Sequence, residues 1–172
     1  MTAHYSEGGA RPITTTASAP SRSGQDQGRT SLFQGGLRPH FYCLPVAKRE
    51  RHRLALRKAV TSGDACFFIG TDTAPHLASL KEAACGCAGV FVGATALQTY
   101  AQVFDEEGAL DKLEKFASLN GAGFYGLPVN TGTIELKRRP AAMPASIAVD
   151  GGDIVVFRGD EALPWSLDEV RP

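Results

Sequence analysis

The distribution of apolar residues divides the chain near Leu32. From Thr14 to Thr30 the sequence runs TTTASAPSRSGQDQGRT, rich in Ser, Thr, Gly, Pro and Gln, with hardly any large apolar side chain. Such a stretch buries too little surface to offset the entropy lost on ordering. Residues 1–31 are therefore expected to form a disordered leader and residues 32–172 the folded segment. Beyond Leu32 the apolar residues come in short blocks. Phe41-Tyr42-Cys43-Leu44 is an apolar run closed by Pro45, which reads as a buried strand. Lys48 to Ser62 carries Leu54, Leu56, Ala59 and Val60 and stops at Gly63, the pattern of a helix with a C-terminal glycine. Cys66 to Gly70 is apolar without alternation, which suits a strand covered on both faces, as in a parallel sheet. Strand, helix and strand in this order make a βαβ unit.

From Asp72 to Gly89 the chain reads as loop. Helices are expected over Ala94–Phe104 and Ala109–Leu119, the second with Leu110, Leu113, Phe116 and Ala117 on one face and Asn120-Gly121 as its break. A short apolar segment, Phe124 to Leu127, ends at Pro128. The remainder reads as short strands over Gly132–Leu136, Ser146–Val149 and Ile154–Phe157, with Gly151-Gly152 as a turn between the last two. The fold class is α/β.

Composition narrows the functional classes. At 172 residues and 43% hydrophobic the chain can build a packed core. Lys plus Arg equals Asp plus Glu, at 18 each, so net charge points to neither nucleic acid nor a membrane surface. No apolar run approaches the ~20 residues of a transmembrane helix, and the N-terminus lacks a charged-then-apolar signal pattern. The four cysteines, Cys43, Cys66, Cys85 and Cys87, do not make a disulfide framework, because Cys85 and Cys87 are too close to pair easily. A reducing, cytoplasmic compartment is expected.

Four local patterns could carry chemistry. In Gly70-Thr71-Asp72-Thr73-Ala74-Pro75-His76 an apolar strand ends, a carboxylate sits just beyond it, and a histidine follows four residues later. Functional groups of parallel α/β folds collect at the carboxyl ends of strands, where an Asp can ligate a metal and exchange a proton with bound water. The same spacing is met by an Asp that caps a turn and a surface histidine, so both readings stay open. Gly35-Gly36-Leu37-Arg38-Pro39-His40 reads as a tight turn. Cys85-Gly86-Cys87-Ala88-Gly89 reads as a glycine loop rather than a metal knuckle, since structural zinc needs four ligands at wider spacing. The basic run Lys48, Arg49, Arg51, Arg53, Arg57, Lys58, diluted by Glu50, reads as a solvated helix face.

Taken together, LFQGGLRPHFYCLPVAKR, FFIGTDTAPH, KEAACGCAGVF, NGAGFYGLPVN and PWSL resemble the homodimeric, bacterial-type dihydroorotases of the amidohydrolase superfamily. The pairing of GTD-x-APH with a downstream KE-x-x-CGCAG is the specific part. The resemblance runs from about Leu32 to near the C-terminus and implies the C-terminal part of a metal-dependent TIM (β/α)8 barrel, with C-terminal helices and short strands. It implies a hydrolase interconverting L-dihydroorotate and N-carbamoyl-L-aspartate in pyrimidine synthesis, with two zinc ions activating the attacking water. Asp72 would be the metal ligand and proton shuttle at the end of the eighth strand. His76 would bind the substrate carboxylate, and the backbone groups of Leu44 and Ala88 would hydrogen-bond the ring, with Gly89 in the loop that closes the pocket.

The departure from the family pattern is equally specific. The family's other metal ligands are a His-x-His pair, a carbamylated lysine and two further histidines, whereas this chain has only His4, His40, His52 and His76. The family's early Arg and Asn, which help hold the substrate carboxylate, have no match either. The expectation is a dihydroorotase-family polypeptide truncated on its N-terminal side and inactive alone. The rival is a non-catalytic interaction or oligomerisation protein built on the same fold, since an open barrel edge exposes strand backbone.

Overall fold

The computed structural model describes the backbone of residues 11–14 together with residues 32–33 and 35–171. Order among these begins earlier than composition predicts. Arg11–Thr14 forms a strand, β1, that pairs in parallel with β2, Phe67–Gly70, in the register Arg11↔Phe67 to Thr14↔Gly70. The rest of the expected leader lies outside the described residues.

The expected strand at Phe41–Leu44 is not formed. Pro39–Phe41 is instead a 3-10 turn, and Tyr42 leaves it with extended backbone. The reason is competition for the backbone: the Tyr42 carbonyl accepts from the Gly89 amide at 2.9 Å and from Lys81 Nζ at 2.9 Å, so its acceptor faces a loop and not a ladder. The anticipated βαβ unit is thus replaced by a turn, then α1 (Glu50–Val60), then β2.

α1 also corrects the basic-face reading. Arg53 and Arg57 are buried and Leu54 is half exposed. Arg53 Nη2 pairs with Glu50 at 2.5 Å, and Arg57 reaches Glu106 and Glu107 at 2.7 Å each. Long arginine stems cover apolar surface while their heads find carboxylates, which makes them interior residues here. These Arg57 pairs fasten α1 to the end of α3, Ala96–Glu106. The central core forms between these two helices from Val60, Tyr100, Phe104, Ala109 and Phe116, with Leu56, Phe67, Ile69, Leu110 and Leu113 packed around it. Phe116 meets the rings of Tyr100 and Phe104 at 5.2 and 5.4 Å. Of β2 only Phe68 is fully buried, so the strand is less enclosed than its apolar run suggests.

The helical stretch after Ala109 starts as a 3-10 turn at Leu110–Lys112, widens to a π turn at Lys115–Leu119 and continues into α4, Asn120–Tyr125. Asn120-Gly121 does not break it. Asn120 Nδ2 donates to the carbonyl of Phe67 at 2.8 Å, and Gly121 sits against the Phe68 ring, 3.2 Å from where a Cβ would stand. Both residues serve contact with β2, and the helix stops only at Gly126, whose φ is 64°.

The C-terminal third is antiparallel. β3 (Thr133–Lys137) pairs with β8 (Ser166–Arg171), β4 (Ala141–Ala142) with β7 (Ala162–Leu163), and β5 (Ser146–Val149) with β6 (Gly152–Val155). β5 and β6 form a hairpin with Val149 opposite Gly152, which leaves Asp150 and Gly151 as a two-residue turn. The described residues therefore form a mixed α/β structure of two-stranded sheets and helices, without a closed barrel. None of their helices is long and apolar enough to cross a membrane.

Candidate active site

Beyond the carboxyl end of β2 the chain turns sharply. Asp72 has φ of +45°, a left-handed conformation that Asp tolerates better than most side chains but still at some cost. Its side chain is exposed. The next residues are stitched to a second segment. Thr73 forms a parallel bridge with Val90, its Oγ1 accepts from the amides of Val92 and Gly93 at 3.1 Å each, and the Ala74 amide donates to the Val90 carbonyl. Beneath this junction Val90, Val92 and Phe157 form a second apolar cluster with Phe41 and Cys43 packed against it. Phe41 meets Phe157 edge-on at 5.6 Å, so the 39–45 segment rests on the same support.

Three loop segments thus converge: residues 43–44, 72–76 and 88–90. They enclose a small cavity of about 240 Å3 lined by Cys43, Leu44, Asp72, Ala74, Ala88, Gly89 and Val90. Leu44, Asp72 and Ala88, singled out from the sequence, therefore share one cavity. His76 is not a lining residue; it packs against the Ala88 loop, with Nε2 3.1 Å from the Ala88 carbonyl. A carbonyl only accepts, so Nε2 carries the proton and Nδ1 is left for other partners.

The loop that carries Ala88 is shaped by its glycines. Gly86 has φ of +53° and closes a turn onto the Ala83 carbonyl. Gly89 has φ of +137°, and a Cβ there would lie 2.6 Å from Ala74 Cβ and 3.0 Å from His76 Nε2. The glycine-loop reading of CGCAG holds, and all four cysteines are free thiols. Gly35 and Gly36, with φ of +74° and +125°, make the expected turn, closed by Arg38 N to Leu32 O at 2.8 Å. His40 leaves that turn to pair with Glu82 at 2.9 Å.

Sequence reasoning assigned no role to Lys81, which ends the short helix α2 (Ala78–Lys81) and is buried. Its Nζ donates to the carbonyls of Tyr42, Cys87 and Gly89 at 2.9, 2.7 and 2.6 Å. Burial pushes this ammonium below the ordinary lysine range, opposed by the neighbouring thiols of Cys43 and Cys87. The Lys-Glu pair of the KE-x-x-CGCAG pattern was the visible signal, but spacing alone could not say that the lysine turns inward.

Among the described residues no three His, Cys, Asp or Glu side chains converge so as to hold a metal ion. Asp72 is the carboxylate of the cavity, and a catalytic zinc takes about three protein ligands. The donor set of the described residues does not by itself fit a two-metal centre.

The chain is 58% identical over 139 residues to the dihydroorotase of Erythrobacter litoralis, a match that covers 81% of this chain and 40% of the relative. It is 55% identical over 140 residues to the dihydroorotase of Hahella chejuensis, covering 81% and 41%. The chain thus spans about 40% of the length of these curated relatives. Dihydroorotase from Saccharomyces cerevisiae, solved in complex with 5-fluoroorotic acid, superposes with a TM-score of 0.72 at 36% identity, over 78% of this chain and 38% of that one. Dihydroorotase from Campylobacter jejuni gives 0.71 at 26%, over 81% and 40%. These neighbours identify the architecture as part of a TIM-barrel-type fold. The amidohydrolase family model matches residues 23–144, most of the chain and every segment that lines the cavity, and on that ground the chain belongs to the amidohydrolase family.

Proposed function

We propose that this chain supplies the eighth-strand side of a dihydroorotase active site, in which L-dihydroorotate and N-carbamoyl-L-aspartate are interconverted. The observation that carries the reading is the meeting of Leu44, Asp72 and Ala88 in one cavity, with His76 bonded to the Ala88 carbonyl behind it. A cavity of about 240 Å3 suits a small ring, since drug-sized ligands occupy roughly 300–1,000 Å3. Asp72 is the exposed carboxylate at the strand end, suited to take up a proton from the attacking water and return it to the leaving nitrogen. His76, next to Ala88 at the edge of the cavity, is the proposed partner of the substrate carboxylate, which it would meet by giving its Nε2 proton to the substrate in place of the Ala88 carbonyl. Backbone groups of Leu44 and Ala88 serve the ring's amide atoms.

Amidohydrolase membership implies a metal cofactor. Our proposal is zinc, two ions per site, with Asp72 as one ligand and the others supplied from outside the described residues. The metal would supply activated water and carbonyl polarisation when bound. A small-molecule substrate, assembly as a homodimer and a cytoplasmic setting belong to the same proposal.

The test is an exchange of parts. Residues 32–172 of this chain are joined to the N-terminal portion of the Erythrobacter litoralis dihydroorotase in place of that protein's own C-terminal segment. The reading predicts a folded chimera that hydrolyses dihydroorotate when loaded with zinc. A folded, zinc-loaded chimera without turnover would contradict it.

A further inference from the structure

Two loops wall the candidate cavity, and each must hold its backbone at a fixed place for the proposed ring contacts to form. One carries Leu44 and the other Ala88. Apart from the apolar cluster beneath, a few polar contacts join them. The Gly89 amide donates to the Tyr42 carbonyl at 2.9 Å, and His40 pairs with Glu82. The third is Lys81, which lies between the loops and touches both. Its three ammonium protons go to Tyr42 O on one side and to Cys87 O and Gly89 O on the other.

An ammonium has three donors and no acceptor. All three donors are used here, so the charged group has no proton to spare and no lone pair with which to attack a substrate. Charge-assisted hydrogen bonds are about twice as strong as neutral ones, and three converge on one buried nitrogen. We propose that Lys81 is a positioning residue of the site: its buried ammonium holds the Tyr42–Leu44 and Cys87–Gly89 backbones at the separation that defines the cavity. It acts through the carbonyls on either side of the ring-binding positions and touches no reacting atom. The inference rests on the reading of the cavity as a substrate site, but its test needs neither substrate nor metal. A failure of this proposal is therefore distinguishable from a failure of that reading.

Arginine is not an equivalent replacement. Its planar fork cannot place three donors around one point, whereas an ammonium can. Methionine keeps the stem and removes the donors. The experiment is amide hydrogen exchange on the full 172-residue chain and on its Lys81→Met and Lys81→Arg variants. Side-chain 15N spectra of His76 are recorded beside it. In both variants the Gly89 amide should exchange at least about tenfold faster while the α3 amide of Thr99, bonded to Thr95 O, keeps its protection. The 15N signature of the His76 Nε2–H bond to Ala88 O should weaken as Ala88 O moves. Unchanged Gly89 exchange, or equal acceleration across α3, would overturn the proposal, the latter by making Lys81 a general stability residue. Should neither variant fold, the unmodified chain decides. A slowly exchanging Lys81 ammonium resonance with couplings to three carbonyl carbons is expected, and a rapidly exchanging, solvent-averaged one would refute it.

Discussion

Gly89→Ala is the perturbation whose outcome the structure fixes most narrowly. At φ of +137° an L-residue is strained whatever space surrounds it, at a cost of roughly 1–3 kcal/mol. Space is also lacking. The new methyl carbon would lie 2.6 Å from Ala74 Cβ and 3.0 Å from His76 Nε2, and neither neighbour is the free end of a flexible chain. Ala74 is held by its amide bond to Val90 O, and His76 by the Ala88 carbonyl. Forcing a methyl into a packed site costs about 1–3 kcal/mol more. The sum, about 2–6 kcal/mol, is a large share of the 5–15 kcal/mol that stabilises a typical domain. Gly108→Ala is the control. It shares the positive φ, at +64°, but has nothing within 4 Å of its Cβ position, so it should lose only about 1–2 kcal/mol. Urea unfolding midpoints of the two variants against the parent give the comparison. Equal losses at the two positions would refute the claim that Gly89 is required by contact with Ala74 and His76.

Other consequences are simpler to state. Arg57→Ala should cost about 1–3 kcal/mol by removing a buried stem and both ion pairs that tie α1 to Glu106 and Glu107, while Lys58→Ala next to it, exposed to solvent, should stay within about 0.5 kcal/mol; denaturant melts check both. Asp64 accepts the Cys66 amide, which with Lys115 nearby holds its carboxyl below the ordinary range. Its contribution is therefore present above the unfolded value of about 4 and is lost as pH falls through the lower folded value. Asp64→Asn should flatten the acid limb of stability against pH, and an unchanged limb would count against it. Lys81, depressed by burial, binds fewer protons folded than unfolded at alkaline pH. Stability should therefore rise with pH between its folded value and the unfolded value of about 10.4, a slope that Lys81→Met removes. The zinc-loaded 172-residue chain alone should show no dihydroorotate turnover, because among the described residues no three His, Cys, Asp or Glu side chains converge to hold a metal ion.

What the sequence made legible follows from which forces act locally. The expected helices at residues 48–62 and 94–104 appear as Glu50–Val60 and Ala96–Glu106, because apolar periodicity and a terminal glycine are local signals. The β5–β6 hairpin appears too, but with its turn at Asp150-Gly151 instead of Gly151-Gly152 and its second strand at Gly152–Val155 instead of Ile154–Phe157. The strand expected at Phe41–Leu44 fails because the Tyr42 carbonyl is taken by Lys81 and Gly89, partners far along the chain. Asn120-Gly121 misleads for a similar reason, since their breaker chemistry is spent on contacts with β2. The burial of Arg53 and Arg57 could not be read from charge, because their partners include carboxylates on a different helix. At the site, Leu44, Asp72, His76 and Ala88 are named through resemblance; the fold brings Leu44, Asp72 and Ala88 to one cavity and His76 against Ala88, and Lys81 needed the fold to reveal it.

The central claim, that Asp72 is the working carboxylate of this site, is tested most directly by kcat for dihydroorotate hydrolysis in the zinc-loaded chimera, with Asp72→Ala and Asp72→Asn made in the same background. Loss of a positioned proton-transfer group costs about 10²–10⁴-fold, and loss of a metal ligand adds to it. Both variants should therefore fall at least about a hundredfold while unfolding as the parent does. Folded variants that keep the parent's kcat would contradict the account.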